Sequence, residues 1–497
     1  MSPQQVRNKW NNLPWCKLEK RLFKLQKRIY QASLDQDNKK VHKLQKLLLH
    51  SKGAKLLATR KITQENRGKR TAGIDGKASL KEEERLILAQ SLNLREKAQP
   101  LRRLWISKEG KTKEKRPLGI PTIGDRARQT LLKMALEPQW EAKFEPNTYG
   151  FRPGRSTHDA IEAIFIALAG KSTYVLDADI LGCFDQINHE SLLRKLETTP
   201  TMRKIIKGWL KAGIMEAGER KTTERGTPQG GCLSPLLACI ALHGLESHIK
   251  EKLREDLFRH RKIKDKDTSY RASQTTISII FYADDFLILH ENLAIIEKSK
   301  VLVEEWLKEM GLELKLSKTR ITHSLEGDKP GFDFLGFHIR QHPLKKKGKK
   351  SAHKTLTKPS KEAIKRQGNL LKKELRKMRL CTQEVVIKKL NPLIRGWSNY
   401  YKTGVSSQIF KSLDHLLFRK LWKWAVYRHP KKPKRWIKRK YFRMYWGNNW
   451  TFMTSAGTRL RDHLECRIER HIKVRGSKSP YDGDWIYSNL FLILHLN

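Results

Sequence analysis

The chain has 497 residues, which is enough for several domains with sizeable cores. It carries 103 Lys and Arg against 51 Asp and Glu, a formal net charge of +52. Such an excess indicates a polyanionic partner, with nucleic acid as the first candidate and an anionic membrane surface as the second. The membrane interpretation is weak because no apolar run approaches the roughly 20 residues of a spanning helix.

The N-terminal segment and the cysteines indicate the compartment. "MSPQQVRNKWNNLPW" lacks the apolar core of a signal peptide. The six cysteines include no Cys-x-x-Cys pair, so neither a zinc site nor a disulfide framework is predicted. We therefore expect a reducing, cytoplasmic setting and no membrane partner.

The first half of the chain mixes helices and extended segments. Residues 14–58 predict two amphipathic helices, because apolar residues recur every three or four positions between lysines and arginines. A Gly-rich loop, "ENRGKRTAGIDGK", follows. Residues 102–122 predict a strand, a basic hairpin loop and a second extended piece. "DRARQTLLKMALEPQWEAKF" predicts a helix, and 172–180 predict a partly buried strand.

The second half begins with a glycine loop, "GTPQGG", that leads into a long apolar helix. A hairpin is predicted over "ISIIFYADDFLILH", followed by the helix "LAIIEKSKVLVEEWLKEMGLEL". After "FDFLGFHI" we expect helices as far as about residue 430. Mixed strands and helices followed by a helical half predict an α+β catalytic region with an all-α appendage.

Basic charge is concentrated in residues 341–440, which hold 31 Lys and Arg against 4 Asp and Glu. Such a run is commonly only a solvated face, but here seven aromatic residues are interleaved. Cations neutralise phosphates and aromatic faces stack on unpaired bases, so we favour nucleic-acid binding. The aromatic residues are Trp397, Tyr400, Tyr401, Trp422, Trp424, Trp436 and Tyr441.

Two acidic sites lie within apolar strands. Asp284 and Asp285 fall at or near the tip of the predicted hairpin, and Asp177 and Asp179 lie on another strand. A surface turn would account for the first pair, because Asp is common in turns. Carboxylates from separate strands that converge on two divalent ions would also account for it, and nucleotidyl transfer uses such a site. Mg²⁺ prefers oxygen ligands, so carboxylates and substrate phosphates suffice to hold it.

The chain resembles the group II intron-encoded proteins, which are reverse transcriptases that also act as maturases. The resemblance covers residues from about 60 to 401, with weaker similarity on either side. Ten runs stand in the family order: "AGIDG", "RPLGIPT", "DRARQ", "LEPQWEAKFEPNTYGFRPGRSTHDAI", "DADILGCFDQINHE", "GTPQGGCLSPLLA", "FYADDF", "LSKTRITH", "FDFLGF" and "LNPLIRGWSNYYK".

The resemblance implies a right-hand polymerase with fingers and palm, followed by a basic all-α thumb, or maturase, domain and a small DNA-binding region. It implies an N-terminal helical extension at 1–60 and fingers and palm at 61–340. The maturase domain would cover 341–425, and the DNA-binding region 426–475. Residues 476–497 would be the remnant of an endonuclease region. Because paired cysteines are absent there, we expect no cleavage of a second DNA strand.

The resemblance also assigns roles at the polymerase site. Asp179 and Asp284 would hold two Mg²⁺ ions together with the backbone carbonyl of Ile180, and Asp285 would be an auxiliary acid. Lys318 would be the general acid for pyrophosphate. The residues implied to contact the deoxynucleoside triphosphate are Lys108 and Arg116 at the triphosphate, Phe184 as a steric gate against a ribose 2′-OH, and Gln229 in the nucleotide pocket.

Neighbouring residues receive simpler interpretations. We interpret Asp177 and Asp185 as structural acids and Cys183 as a small packing residue. His463, Cys466 and His471 have the residue types of metal ligands, but their spacing favours scattered surface residues.

The nucleic-acid partners follow from the same resemblance. The run 390–402 would pack its apolar residues locally while its cations face intron RNA. The implied RNA-binding residues are Lys372, Lys373, Arg395 and Lys402. The implied contacts to target DNA are Lys434, Arg435, Lys438 and Arg439. We expect a protein of the bacterial cytoplasm that is associated with the nucleoid when it is on its target DNA.

Two functional hypotheses remain open at this stage. The first is an RNA-directed DNA polymerase that also assists splicing and reverse splicing of its intron. The second is a splicing-only maturase whose polymerase is inactive. Retention of Asp179, Asp284 and Asp285 favours the first.

Overall fold

The computed structural model describes residues 9–107, 115–256, 277–344 and 353–483. The chain divides into two compact units. Unit 1 comprises Met1–Ala160, Val175–Ile321 and Val474–Asn497, and unit 2 comprises Ile161–Tyr174 and Thr322–Lys473. No helix in the described ranges is long and apolar enough to cross a bilayer.

Helices form much of both units, together with short π and 3₁₀ turns. In chain order they are α1 Trp15–Leu34, α2 Asn38–His50, α3 Lys52–Arg60, α4 Glu82–Ser91, α5 Ile123–Glu141, α6 Thr157–Ala167, α7 Cys183–Gln186, α8 His189–Lys195, α9 Pro200–Leu210, α10 Ser234–Leu242, α11 Leu245–Lys252, α12 Leu293–Glu309, α13 Lys361–Lys377, α14 Gln383–Tyr401, α15 Ser407–Arg428 and α16 Lys434–Tyr441.

The strands form four separate sheets. They are β1 Leu101–Ser107, β2 Lys115–Ile120, β3 Tyr174–Asp179, β4 Ile214–Glu216, β5 Glu219–Lys221, β6 Ser278–Tyr282, β7 Asp285–His290, β8 Arg320–His323, β9 Phe332–Phe334, β10 Phe337–Pro343, β11 His353–Pro359, β12 Phe442–Tyr445 and β13 Asn448–Phe452. The sheet orders are β2-β1-β4-β5, β6-β7-β3-β8, β11-β10-β9 and β12-β13. The predicted α+β class is confirmed.

Helix α5 is the central helix of unit 1, and it is buried along most of its length. It begins where the Thr122 hydroxyl accepts a hydrogen bond from the amide of Asp125, which satisfies one of the free amides of the first turn. Helices α1, α2 and α3 pack against it. The buried Gln45 of α2 donates to the backbone carbonyl of Ala135 and to the Gln139 side chain, so this helix pair is joined by polar contacts as well.

Two of the predicted helices are each divided into two shorter helices in the structure. The second of the two helices expected within residues 14–58 breaks at Ser51, whose extended backbone and side-chain bond to the amide of Ala54 start α3. The expected long helix after "GTPQGG" ends at Leu242 and restarts after Gly244, which has φ +94°. Both breaks depend on the backbone and capping of a few residues, and the periodicity of apolar residues does not predict them.

Unit 2 has its core between α13, α14 and α15, extended by α16 and the β12–β13 hairpin. The expectation of helix directly after "FDFLGFHI" is wrong, because β10 continues to Pro343 and pairs antiparallel with β11 before α13 begins. Thr355 and Thr357 alternate with Lys354, Leu356 and Lys358 in "HKTLTKP", and β-branched Thr suits a strand.

Most of the aromatic residues expected to stack on bases belong to this core instead. Trp424 and Tyr441 are 3–5% exposed members of this core, and Trp422 and Trp436 pack against it. Tyr401 is 6% exposed and packs against Phe337 and Trp397. For Tyr401, Trp424 and Tyr441 the expectation of stacking on bases is wrong, because their rings are buried inside the protein, where apolar burial stabilises the fold.

The expectation that His463 is a surface residue is also wrong, because it is fully buried. Its Nδ1 lies 2.6 Å from a carboxylate oxygen of Asp414, and its ring packs edge-on against Trp397. His463 therefore secures the segment after β13 to the helical core.

Candidate active site

The two adjacent acids lie at a hairpin turn, as predicted. Strands β6 and β7 are antiparallel, and Tyr282 pairs with Asp285. Ala283 and Asp284 make the turn, with Ala283 at φ +59°. A Cβ on Gly150 would lie 2.2 Å from the Ala283 amide nitrogen, so the turn rests directly on a glycine backbone.

Asp179 reaches the same place from the end of β3, where it is largely buried. The amide of Ile180 donates to the carbonyl of Asp284 at 3.3 Å, which joins the two acid-bearing segments. The Lys318 ammonium donates to the Asp179 carboxylate. The fold therefore brings Asp179, Ile180, Asp284, Asp285 and Lys318 into one cluster.

Burial and repulsion between neighbouring acids disfavour the ionised forms of Asp284 and Asp285 in this cluster. Burial, followed by repulsion from Asp284 and Asp179, raises the pKa of Asp285 to about 7. Burial and Asp179 also raise the pKa of Asp284, against opposing effects of Arg116 and Lys318. Hydrogen bonding to Asp179 raises the pKa of Lys318, so its ammonium form is favoured.

The side of this cluster is lined by two aromatic rings. Phe184 on α7 meets Phe151 edge-to-face, with centroids 5.9 Å apart. Phe151 holds a left-handed backbone at φ +61°, which is costly for a residue with a side chain. Phe151 lies in the run "YGFRPGR", in which no local pattern indicates a contact with Phe184.

A buried ion pair fixes the segment that carries Phe151. The Arg152 guanidinium forms two 2.9 Å bonds to the Glu141 carboxylate, and both side chains are 1% exposed. Arg152 also donates to the backbone carbonyls of Glu145 and Thr148. All its partners lie within eleven residues of it, so the guanidinium holds the loop between α5 and Phe151 in one shape.

Gln229 lies in a glycine loop that is held from two directions. Its side chain donates to Asp185 at 2.8 Å, and its carbonyl accepts from the amide of Gly119 on β2 at 2.7 Å. Gly230, at φ +112°, leaves no room for a Cβ beside Gly119. Burial raises the pKa of Asp185, while Arg103 and the Gln229 bond oppose that rise.

The remaining residues near the cluster are placed as follows. Asp177 is bonded to Arg320 at 2.9–3.0 Å. Cys183 is buried, and burial raises its thiol pKa, as suits a packing residue. Arg116 lies on β2 opposite Ile106, and Lys108 lies outside the described residues.

A preformed metal cage is not found. Within the described ranges, no three His, Cys, Asp or Glu side chains are gathered closely enough to hold a metal ion. Two carboxylates and a backbone carbonyl, completed by water and phosphates, still match the oxygen donors that Mg²⁺ prefers. The raised pKa values of Asp284 and Asp285 show that a further cation would be electrostatically favourable there.

The cations predicted to bind nucleic acid lie in unit 2. Lys372 and Lys373 on α13, Arg395 on α14, and Lys434, Arg435 and Arg439 on α16 are exposed. Lys402 instead forms a 2.7 Å ion pair with Glu469. Lys438 lies 4.5 Å above the Trp450 ring.

Comparison with known families adds three matches. Residues 10–92 match the N-terminal domain of reverse transcriptase, and residues 106–339 match reverse transcriptase, described as an RNA-dependent DNA polymerase. Residues 366–442 match the maturase-specific domain of group II introns. The acid cluster lies within the second match and the helical core of unit 2 largely within the third.

Among curated relatives, Protein YkfC of Escherichia coli is 31% identical over 309 residues, 56% of this chain and 78% of that protein. Group II intron-encoded protein LtrA of Lactococcus lactis is 34% identical over 290 residues, 49% of this chain and 47% of LtrA. The chain thus spans about half the length of LtrA. Maturase-like protein 1 of Euglena gracilis is 31% identical over 255 residues, 48% of this chain and 52% of that protein.

The fold and these matches define a reverse transcriptase, which the matching family model describes as an RNA-dependent DNA polymerase, as predicted. The maturase-specific domain that follows in the chain identifies the kind of reverse transcriptase. The chain belongs to the family of group II intron-encoded reverse transcriptases with maturase domains.

Proposed function

We propose that this chain copies RNA into DNA by two-metal nucleotidyl transfer, and that it binds a group II intron RNA to assist splicing and reverse splicing into target DNA. The convergence of Asp179, Asp284 and Asp285 at a tight turn carries the polymerase proposal. Burial and the neighbouring acids raise the pKa values of Asp284 and Asp285, so both carboxylates are costly to bury in their ionised form without a cation, and a structural role alone accounts for them poorly.

Two Mg²⁺ ions, when bound, supply activation of a primer 3′-OH and neutralisation of the charge on the triphosphate. Asp179, Asp284 and the carbonyl of Ile180 would hold them. Lys318 is bonded to Asp179, so it stands at the metal-binding edge with a proton to give to a pyrophosphate oxygen. Arg116, and Lys108 beyond the described residues, would bind the triphosphate of the incoming deoxynucleotide.

Selection of the nucleotide would fall to Phe184 and Gln229. The Phe184 ring is held at its edge by Phe151, so it presents a fixed wall where a ribose 2′-OH would project. Gln229 is fixed through Asp185 and Gly119, which suits a residue that lines a nucleotide pocket.

Unit 2 would bind the intron RNA and then the target DNA. Lys372 and Arg376 are among the cations that lower the pKa of Lys420, after its burial, because like charges crowd this face. A surface with such crowded positive charge favours binding of a polyanion. Lys402 is engaged by Glu469, so it supports this proposal less than Lys372, Lys373 and Arg395 do.

The test is extension of a primed RNA template with deoxynucleotides and Mg²⁺. We expect Asp284→Asn to abolish extension while RNA affinity persists, because the shape stays and the anion is lost. Asp177→Asn is the matched control, since it makes the same change on the neighbouring strand at an acid that is paired with Arg320. Equal extension by wild type and Asp284→Asn would refute the site, and splicing without any extension by wild type would favour a maturase with an inactive polymerase.

A further inference from the structure

The β12–β13 hairpin ends in a turn that is unusual for its sequence. Tyr445 pairs with Asn448, so Trp446 and Gly447 are the two central residues of the turn. Both have positive φ, +46° for Trp446 and +77° for Gly447. A two-residue hairpin of this type favours Asn followed by Gly, because Asn tolerates the left-handed backbone and a bulky side chain does not.

The fold buries little of the Trp446 side chain, whose ring lies 6.3 Å from the ring of the adjacent Tyr445. Trp446 is 93% exposed, the most exposed tryptophan of the described chain. A strained backbone and an exposed indole both cost stability, and Asn at this position would avoid both. A locally unfavourable residue held at an exposed tip points to a contact made outside the chain.

The base of the hairpin is firmly seated, so the tip is held out on a rigid support. Phe442 and Phe452 are each 3% exposed and belong to the core of unit 2. Trp450 packs edge-on against Phe418 and lies beneath the Lys438 ammonium. Met444 and Tyr445, which precede Trp446 in β12, are also exposed.

The segment of the sequence that carries the hairpin is strongly basic. Residues 415–461 contain 14 Lys and Arg and no Asp or Glu. The Arg459 guanidinium lies 4.4 Å from the Tyr445 ring centroid, although it is also paired with Glu465. An exposed aromatic face within a cationic surface has the chemistry of a platform for an unpaired base.

We propose that Trp446 stacks on an unpaired base of DNA where the two strands of a target separate. The proposal rests on the DNA-binding role proposed above for residues 426–475. DNA is favoured over intron RNA because the maturase-specific match ends at residue 442, so the hairpin tip lies beyond it.

The experiment compares Trp446→Asn with wild type in binding a forked DNA duplex with unpaired arms, a blunt duplex of the same sequence and an RNA hairpin of similar length. On the fork we expect roughly 5- to 150-fold weaker binding, the range for loss of one stacked base. The salt dependence should not change, because no charge is removed. The loss of affinity for the blunt duplex and for the RNA hairpin should be smaller than the loss for the fork.

Three further measurements separate stacking from a folding effect. Trp446→Asn should unfold at the same temperature as wild type or higher, since the turn is relieved of strain. Trp446→Tyr should recover most of the binding to the fork, and Met444→Ala, an exposed apolar neighbour on the same hairpin, should leave it unchanged.

Unchanged binding of the fork by Trp446→Asn would overturn the proposal, as would a lower unfolding temperature. A larger loss on the RNA hairpin than on the fork would assign the tip to RNA and overturn the choice of DNA. Primer extension on an RNA template is measured in parallel. Its absence in wild type would refute the polymerase proposal, whereas normal extension with unaltered fork binding would refute the role of Trp446 alone.

Discussion

The face of α13 offers the most quantitative test of how unit 2 binds RNA. Lys372, Lys373 and Arg376 are exposed, and none of them forms an ion pair within the part of the chain that the structure describes. We expect the triple change to Ala at these positions to weaken RNA binding and to make it less sensitive to salt. The physical reason is that each basic side chain that contacts an RNA phosphate releases a condensed counterion from the RNA.

The magnitude follows from the number of cations removed. Each phosphate contact contributes about 0.7 to 0.9 to the slope of log affinity against log salt, so three losses should make the slope shallower by about 2 to 3. Over an approximately fourfold rise in salt, the wild type should therefore lose about 20- to 40-fold more affinity than the variant does. Primer extension on a short template should survive, because the acid cluster lies in unit 1.

The assay is filter binding or anisotropy with a group II intron RNA over a salt series. The matched control is the triple change of Lys207, Lys298 and Lys388 to Ala, which removes the same charge from lysines already paired with Glu190, Asp256 and Glu384. An equal slope for the α13 variant and wild type would refute the reasoning. So would an equal shift in the control, because it would show only an effect of net charge.

Further changes test the polymerase site and the packing of unit 1. Phe184→Val should raise ribonucleotide incorporation relative to deoxynucleotide in single-nucleotide extension, and Phe151→Ala should do so more weakly by freeing the Phe184 ring; unchanged discrimination in both would remove the pair from sugar selection. Gly150→Ala should abolish extension while RNA binding persists, because its Cβ would clash with the turn backbone at 2.2 Å; full activity would contradict this. Burial lowers the pKa of Lys195 to about 8 from 10.5, so the folded protein binds fewer protons than the unfolded chain between these values and stability should rise with pH across that window. Denaturant titrations of wild type and Lys195→Met should show this rise in wild type only, and parallel curves would refute it.

Much of the fold and of the candidate site could be predicted from the sequence. The apolar, β-branched and aromatic residues on either side of Asp284 and Asp285 predicted the hairpin, and the strand that ends at Asp179 was also predicted. These predictions succeed because strand-forming residues and turn-forming residues are local properties of the sequence. Net charge likewise predicted a nucleic-acid partner, since it is a sum over residues and needs no coordinates.

Capping and packing could not be predicted in this way. The breaks at Ser51 and Gly244 depend on single backbone angles, and the strand β11 depends on a partner in β10. The burial of Trp424 depends on which face of α15 meets the core, so a basic and aromatic composition could not separate core rings from exposed ones.

The sequence by itself determined the chemistry available to this protein: its acids, its cations and the order of its motifs. Only the tertiary structure decided which of them meet. It joined Asp179 to the Asp284 turn, held Phe184 against Phe151, and left Trp446 rather than Trp424 exposed. The reason is that contacts between residues far apart in the chain are set by packing of whole elements, and no local pattern encodes that packing.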